Sequence, residues 1–411
     1  MKKILIPIAT LLVLLACGKE QVEWVQLEDY SSLDPETAFV PYAVHDDEPM
    51  PQLPEEDTKA STFTAAQMTQ KLLASFSARK IRSYCGSYMG TDLEGNPVRL
   101  SGRIVIPVDK KVTRIVLVSH YTITDDLSAP SNTLPLEAVL ASKGLAIIDA
   151  DYLGYGLSKD RVHPYLIPRQ AVSDVISMYF AALPFLEAIG VTPQYKDIFL
   201  MGYSQGGAVT MSVLSKLELG YPEVKIRLAM CGAGPYDLCL TYDKMVEQDF
   251  TSIPVVIPMI IRSMKTSCHL DRLRLEDYIQ PAVMDKLWEW IDSKAYSTGQ
   301  IRKMLGMQKL SDIMTPQAMN KVSPAMEDLY LAMMEQSVLY PESFLMPQAP
   351  LYLFHSMDDN TVPFGNSEKL LDSIQGHCDV YYNFGHYGSH SMGMLRFLAC
   401  CMDLLEQKGD I

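Results

Sequence analysis

Asp197-Ile198-Phe199-Leu200-Met201-Gly202-Tyr203-Ser204-Gln205-Gly206-Gly207 passes from an apolar run, through a serine flanked by glycines, into a helical pattern. Residues 197–202 read as a buried strand, and residues 206–219 as a helix that stops at Gly220. A serine hydroxyl is a weak nucleophile until a base takes its proton and its oxygen is held exposed. A sharp strand-to-helix turn does the exposing, and glycines two residues before and after the serine leave room for it. Glycine and serine are common, so the pattern alone is weak. The strand before it and the helix after it make it specific, and Ser204 is the candidate nucleophile.

Working outward, strands and helices alternate. Residues 81–90 and 98–108 read as a hairpin around the turn Leu93-Glu94-Gly95-Asn96-Pro97. Residues 114–119, 145–150, 225–231, 351–355 and 379–384 are short β-branched or apolar runs. Between them, residues 134–143, 168–189 and 392–406 have helical spacing, and residues 64–80 suggest a further helix before the hairpin. Continuous apolar strands alternating with helices imply an α/β fold, with a mainly parallel sheet covered on both faces and an antiparallel leading edge. From Tyr236 to about Met346 no strong strand occurs, and Met, Leu, Ile and Trp recur at helical spacing. A segment that long is no plain loop, so it reads as a helical insertion over the sheet end where the loops gather. Its many methionines suit either a helical core or an adaptable pocket wall.

A serine nucleophile on this architecture needs a carboxylate and then a histidine later in the chain. The strand at 351–355 runs into Ser356-Met357-Asp358-Asp359-Asn360, which offers Asp359 as the acid and Asp358 as its alternative. Beyond it only His377, His386 and His390 remain, and His377 precedes the last strand. His390, just before the last helix, is the candidate base, with His386 the alternative. Asp151 and Asp174 read as structural, Asp151 because it ends a strand beside a glycine-rich turn. His120 and His355 end strands near the site and read as pocket-shaping.

Residues 202–207, Asp151-Tyr152-Leu153-Gly154-Tyr155-Gly156 and residues 359–363 together resemble the secretory lipase branch of the α/β-hydrolase superfamily, and also prolyl-oligopeptidase-like esterases. The resemblance runs over roughly residues 81–407 and is faintest in the insertion. It implies an α/β-hydrolase fold with an eight-stranded sheet, a helical cap, and ester hydrolysis without a cofactor. One oxyanion donor is then the backbone N–H of Gln205, the residue after the nucleophile. The other comes from Ser119-His120-Tyr121-Thr122. Many relatives carry His-Gly there; this chain has His120-Tyr121, which leaves either the Tyr121 hydroxyl or the Thr122 backbone N–H.

The chain has 411 residues, 48% hydrophobic and 20% charged, enough to bury a large core. Its net charge of −14 argues against a nucleic-acid partner. Lys2 and Lys3, a short apolar run and Leu14-Leu15-Ala16-Cys17 resemble a bacterial lipoprotein signal, with cleavage before Cys17 and lipid on its sulfur. Lipid there would hold an exported protein to a cell-envelope membrane without a spanning helix. The later cysteines are odd in number and lack metal-ligand spacing, so they read mostly as small buried hydrophobes and no metal is expected. The organisation is therefore a signal peptide (1–16), a tether and arm (17–62), a hydrolase core (63–235 and 347–411) and a cap (236–346). The expected partner is an ester, either a small molecule or attached to a polysaccharide. Competing readings are a serine peptidase and an inactive surface binding protein on the same fold.

Overall fold

The computed structural model describes residues 33–34, 36–47, 80–192, 196–307, 309–340 and 344–411. The lipidation candidate Cys17 and the helix expected over 64–80 lie outside them, apart from Lys80, which precedes the first hairpin strand. Nine strands form one sheet: β1 (Val40–Asp46), β2 (Ile81–Thr91), β3 (Pro97–Pro107), β4 (Arg114–Ser119), β5 (Leu145–Ala150), β6 (Asp197–Tyr203), β7 (Lys225–Gly232), β8 (Leu351–Ser356) and β9 (Val380–Gly385). Their order is β1-β2-β3-β5-β4-β6-β7-β8-β9. The hairpin pairs antiparallel without a break from Ile81↔Pro107 to Thr91↔Pro97, and from β5 to β9 every pairing is parallel. Strands β2 to β9 are the expected eight. The ninth is a correction: part of the segment read as an arm is a true edge strand, paired antiparallel with β2 from Val40↔Ser87 to Asp46↔Arg82.

Helices α1 (Pro168–Ala188), α2 (Gln205–Gly220), α3 (Leu238–Gln248), α4 (Val256–Ser267), α5 (Pro281–Asp292), α6 (Thr298–Leu305), α7 (Pro316–Met319), α8 (Met326–Gln336), α9 (Gly365–Ile374) and α10 (His390–Gln407) follow. The segment expected as a helix over 134–143 is wound instead as a 3₁₀ helix, Leu136–Lys143, closed by Gly144 at φ 104°. The central strands are buried along their whole length, as in β5 and β8. Alternate residues of those strands therefore feed two separate cores. Ile148 and Leu353 join α1 and α2 on one face, while Ile147 and Phe354 join α10 and the 3₁₀ segment on the other. A third cluster, with Met245, Ile260, Leu287 and Leu329, belongs to α3–α8, so the insertion has a core of its own. Of the insertion's methionines, Met259, Met264, Met314, Met326 and Met333 are buried in that core, whereas Met304, Met334 and Met346 are exposed.

Candidate active site

Strand β6 delivers Tyr203 to a turn whose next residue, Ser204, is at φ 58°, ψ −126°. Few residues tolerate positive φ, and such strain persists only where the surroundings enforce it. Here they do. The Ser204 N–H donates to the Gly232 carbonyl of β7 at 2.8 Å, and the Ser204 carbonyl accepts from the Gly207 N–H at 2.8 Å. A Cβ on Gly202 would stand 2.3 Å from the Gly206 carbonyl oxygen, and one on Gly206 only 1.9 Å from that of Ser119. Both glycines of the motif are therefore required by backbone packed against backbone.

The Ser204 Oγ lies 2.8 Å from Nε2 of His390, whose Nδ1 lies 2.5 Å from Oδ2 of Asp359. His390 is the first residue of α10, and its carbonyl accepts from the Tyr203 hydroxyl at 2.8 Å, which ties the histidine to the turn beside the serine. Asp359 follows β8. Its Oδ1 accepts two backbone N–H groups, from Thr361 at 2.8 Å and Val362 at 2.9 Å. His355 Nε2 stands 3.4 Å from Oδ2, with its own Nδ1 against Ser367 Oγ at 2.7 Å. Burial alone would raise the Asp359 carboxyl, but the charge and hydrogen bonds of His390 and His355 outweigh it and hold Asp359 well below the usual carboxylate range.

The two alternatives pair with each other instead. His386 Nδ1 lies 2.7 Å from Asp358 Oδ1 on the protein surface, with the histidine side chain 77% exposed. Asp358 also accepts from the Gly388 N–H, so this pair clips the loop that carries His390. Asp151 accepts from Ser101 Oγ at 2.5 Å and the Ser131 N–H at 2.7 Å. Asp174 accepts from the Leu153 N–H and the Gln170 amide, and burial pushes its carboxyl up to about 7. Both carboxylates tie down chain, as read from the sequence.

Of the candidate oxyanion donors, Gln205 begins α2. Tyr121 and Thr122 follow β4; the Tyr121 ring packs with Ile123, Ala129 and Tyr155, and the Thr122 hydroxyl meets the Tyr165 hydroxyl at 2.8 Å. His163 went unnoticed in the sequence: its Nε2 lies 3.0 Å from the side-chain amide nitrogen of Gln205. A lone loop histidine carries no motif, so only the fold reveals it. Ser204 and His390 are 5% and 4% exposed, so the pair is nearly closed off from bulk water. A groove of about 600 Å³ lined by α1, α2, residues 335–338 and residues 344 and 345 contains none of these residues.

The sheet order, the strained serine and the serine–histidine–aspartate alignment define a molecule of the α/β-hydrolase class. Within it the model of the secretory lipase family matches residues 127–386, more than half of the chain, and the protein belongs to that family. Solved structures that share the fold include the following three. A ligand-bound form of the rice cell wall degrading esterase LipA from Xanthomonas oryzae is 20% identical with a TM-score of 0.72, covering 90% of this chain and 97% of that one. A putative hydrolase from Legionella pneumophila is 20% identical (TM-score 0.66; 84% and 94% covered). Lipase A from Candida antarctica is 14% identical (TM-score 0.54; 75% and 73% covered). No curated protein matches the sequence.

Proposed function

We propose that the protein is an exported carboxylic ester hydrolase that works through a Ser204–His390–Asp359 triad and an acyl-enzyme. His390 Nε2 takes the Ser204 proton as Oγ attacks the ester carbonyl. Asp359 keeps the other ring nitrogen protonated and stabilises the imidazolium that forms. His390 then protonates the departing alcohol, and water, deprotonated by the same imidazole, releases the acid. The backbone N–H of Gln205 takes the developing oxyanion, together with the Tyr121 hydroxyl or the Thr122 N–H. No cofactor enters these steps. The observation that carries this reading is the continuous alignment from Ser204 Oγ through both nitrogens of His390 to Asp359, at 2.8 and 2.5 Å.

Membership of the secretory lipase family supports carboxylic esters, those of lipids among them, as the substrate class. The likeness to an esterase that degrades rice cell wall adds ester side chains of polysaccharides to the panel. Cys17, by its sequence context, carries lipid and holds the protein to a cell-envelope membrane. The hydrolase core is 63–235 with 347–411, capped by 236–346. A fluorophosphonate probe labels the wild type at Ser204 and leaves Ser204→Ala unlabelled, with turnover of p-nitrophenyl esters lost by orders of magnitude. Labelling at another serine, or ester turnover that survives Ser204→Ala, overturns the proposal. An inhibitor of lipoprotein signal peptidase leaves a heavier precursor if Cys17 is lipidated; no shift removes the anchor.

A further inference from the structure

His163-Pro164-Tyr165 lies in the loop between β5 and α1, remote in sequence from every triad residue. Its two ring residues each reach one side of the proposed oxyanion hole. His163 Nδ1–H donates to the Leu153 carbonyl at 2.8 Å, which leaves Nε2 as the acceptor for the Gln205 amide at 3.0 Å. The Tyr165 hydroxyl meets Thr122 Oγ1 at 2.8 Å. The Tyr165 N–H donates to Ser263 Oγ of α4 at 2.9 Å, which fixes the same segment to the helical insertion.

The segment is built to hold still. Gly154, at φ 96°, leaves no space for a Cβ, which would lie 2.7 Å from the His163 backbone. The His163 ring packs against Tyr155 at 5.0 Å and lies nearly parallel to Tyr152, 6.0 Å away. His163 and Gln205 are 5% and 2% exposed, so water cannot replace either partner cheaply. The charged and titratable groups facing His163 are Lys294 and Arg262 from the insertion, His120 after β4, and the phenols of Tyr152, Tyr155 and Tyr165. Burial first, then Lys294, pushes the imidazole down to about 3, so at working pH it is a fixed neutral acceptor.

Resting on the triad reading above, we propose that His163-Pro164-Tyr165 is a positioning bracket for the oxyanion hole. His163 holds the first turn of α2, from which the Gln205 N–H projects, and Tyr165 holds the strand-end loop at Thr122. Neither touches the reacting carbonyl; both act through the residues they hold. A donor displaced by about 1 Å can cost about a hundredfold in rate.

The test compares His163→Phe, His163→Gln and Tyr165→Phe with wild type, with turnover normalised to serines titrated by a fluorophosphonate. The expected result is a roughly ten- to hundredfold fall in kcat for His163→Phe and Tyr165→Phe with KM little changed, and partial recovery in His163→Gln, which keeps a donor and an acceptor. Normalisation removes any unfolded fraction, which a merely structural loss would produce. Gln205→Glu supplies a second readout. Its carboxylate faces the His163 lone pair and keeps the contact only while the pair shares a proton, so activity gains a descending limb toward alkaline pH that wild type lacks. Wild-type kcat in either Phe variant, or a Gln205→Glu profile parallel to wild type, overturns the bracket. Failure of the triad reading looks different: it removes probe labelling at Ser204 from the wild type itself.

Discussion

Replacing Asp359 by Asn tests the site at its most constrained atom. The wild-type carboxylate uses both oxygens: Oδ1 accepts the Thr361 and Val362 N–H groups at 2.8 and 2.9 Å, and Oδ2 faces His390 Nδ1 at 2.5 Å. An amide has one oxygen to offer. Turning its NH₂ toward the two backbone donors would leave three N–H groups without acceptors in a buried site, at about 1–3 kcal/mol for each unsatisfied group. The amide oxygen must therefore stay with Thr361 and Val362, and the NH₂ then points at His390. The imidazole answers by accepting at Nδ1, which puts its proton on Nε2, facing Ser204. That tautomer cannot deprotonate the serine. The cost should approach that of the equivalent change in well-studied triads, about 10⁴ in kcat or about 5 kcal/mol. Steady-state ester hydrolysis measures it, with circular dichroism to confirm the fold. Asp358→Asn, at the exposed pair with His386, is the matched control and should change kcat by less than about fivefold, since surface pairs are worth ~1 kcal/mol or less. A kcat for Asp359→Asn within tenfold of wild type, or a larger loss in Asp358→Asn, would refute the reasoning.

Tyr121→Phe should slow turnover by about a hundredfold if its hydroxyl donates to the oxyanion; a near-normal rate gives that role to the Thr122 N–H. Gly206→Ala places a Cβ 1.9 Å from the Ser119 carbonyl, so soluble yield and fluorophosphonate labelling should both collapse; a labelled, folded variant would show that the elbow has slack. Asp174, raised by burial to about 7, binds its proton more tightly folded than unfolded. Its stabilising effect is full below the unfolded carboxyl value near ~4 and is lost as pH rises through about 7. Melting temperature should therefore fall between pH 5 and pH ~8, less steeply in Asp174→Asn; parallel curves would refute this. For Asp359, the depressed carboxyl stabilises the fold above the unfolded value and loses that effect only in strong acid.

The parts of the site legible in the sequence are those set by local rules. The elbow around Ser204 shows itself because the backbone turn demands glycine at fixed offsets, and the central strands show themselves because full burial demands unbroken apolar runs. Chain order leaves His386 and His390, the place just before the last helix favours His390, and the two differ in depth: one aspartate–histidine pair is buried on Ser204, the other exposed. Strand β1 stayed hidden because Val40-Pro41-Tyr42-Ala43 sits at an edge, pairs on one side only and shifts register at Pro41/Ala43, so its composition owes little to the core. His163 stayed hidden for another reason. Its role is a contact between segments 42 residues apart, and nothing in either segment announces the other.

Strand β1 has a consequence for handling the molecule. The match to the family begins only at residue 127, and the first strand legible in the sequence begins at Ile81. A fragment trimmed to Ile81 would strip β1 from β2, and one trimmed to residue 127 would lose β2, β3 and β4 as well. Trimming at Ile81 leaves eleven residues of strand with one row of amides and carbonyls open to any chain that can add itself there. Such a fragment should be sticky, clumping through its flank although its chemistry is whole, and a soluble preparation should start upstream of Leu33.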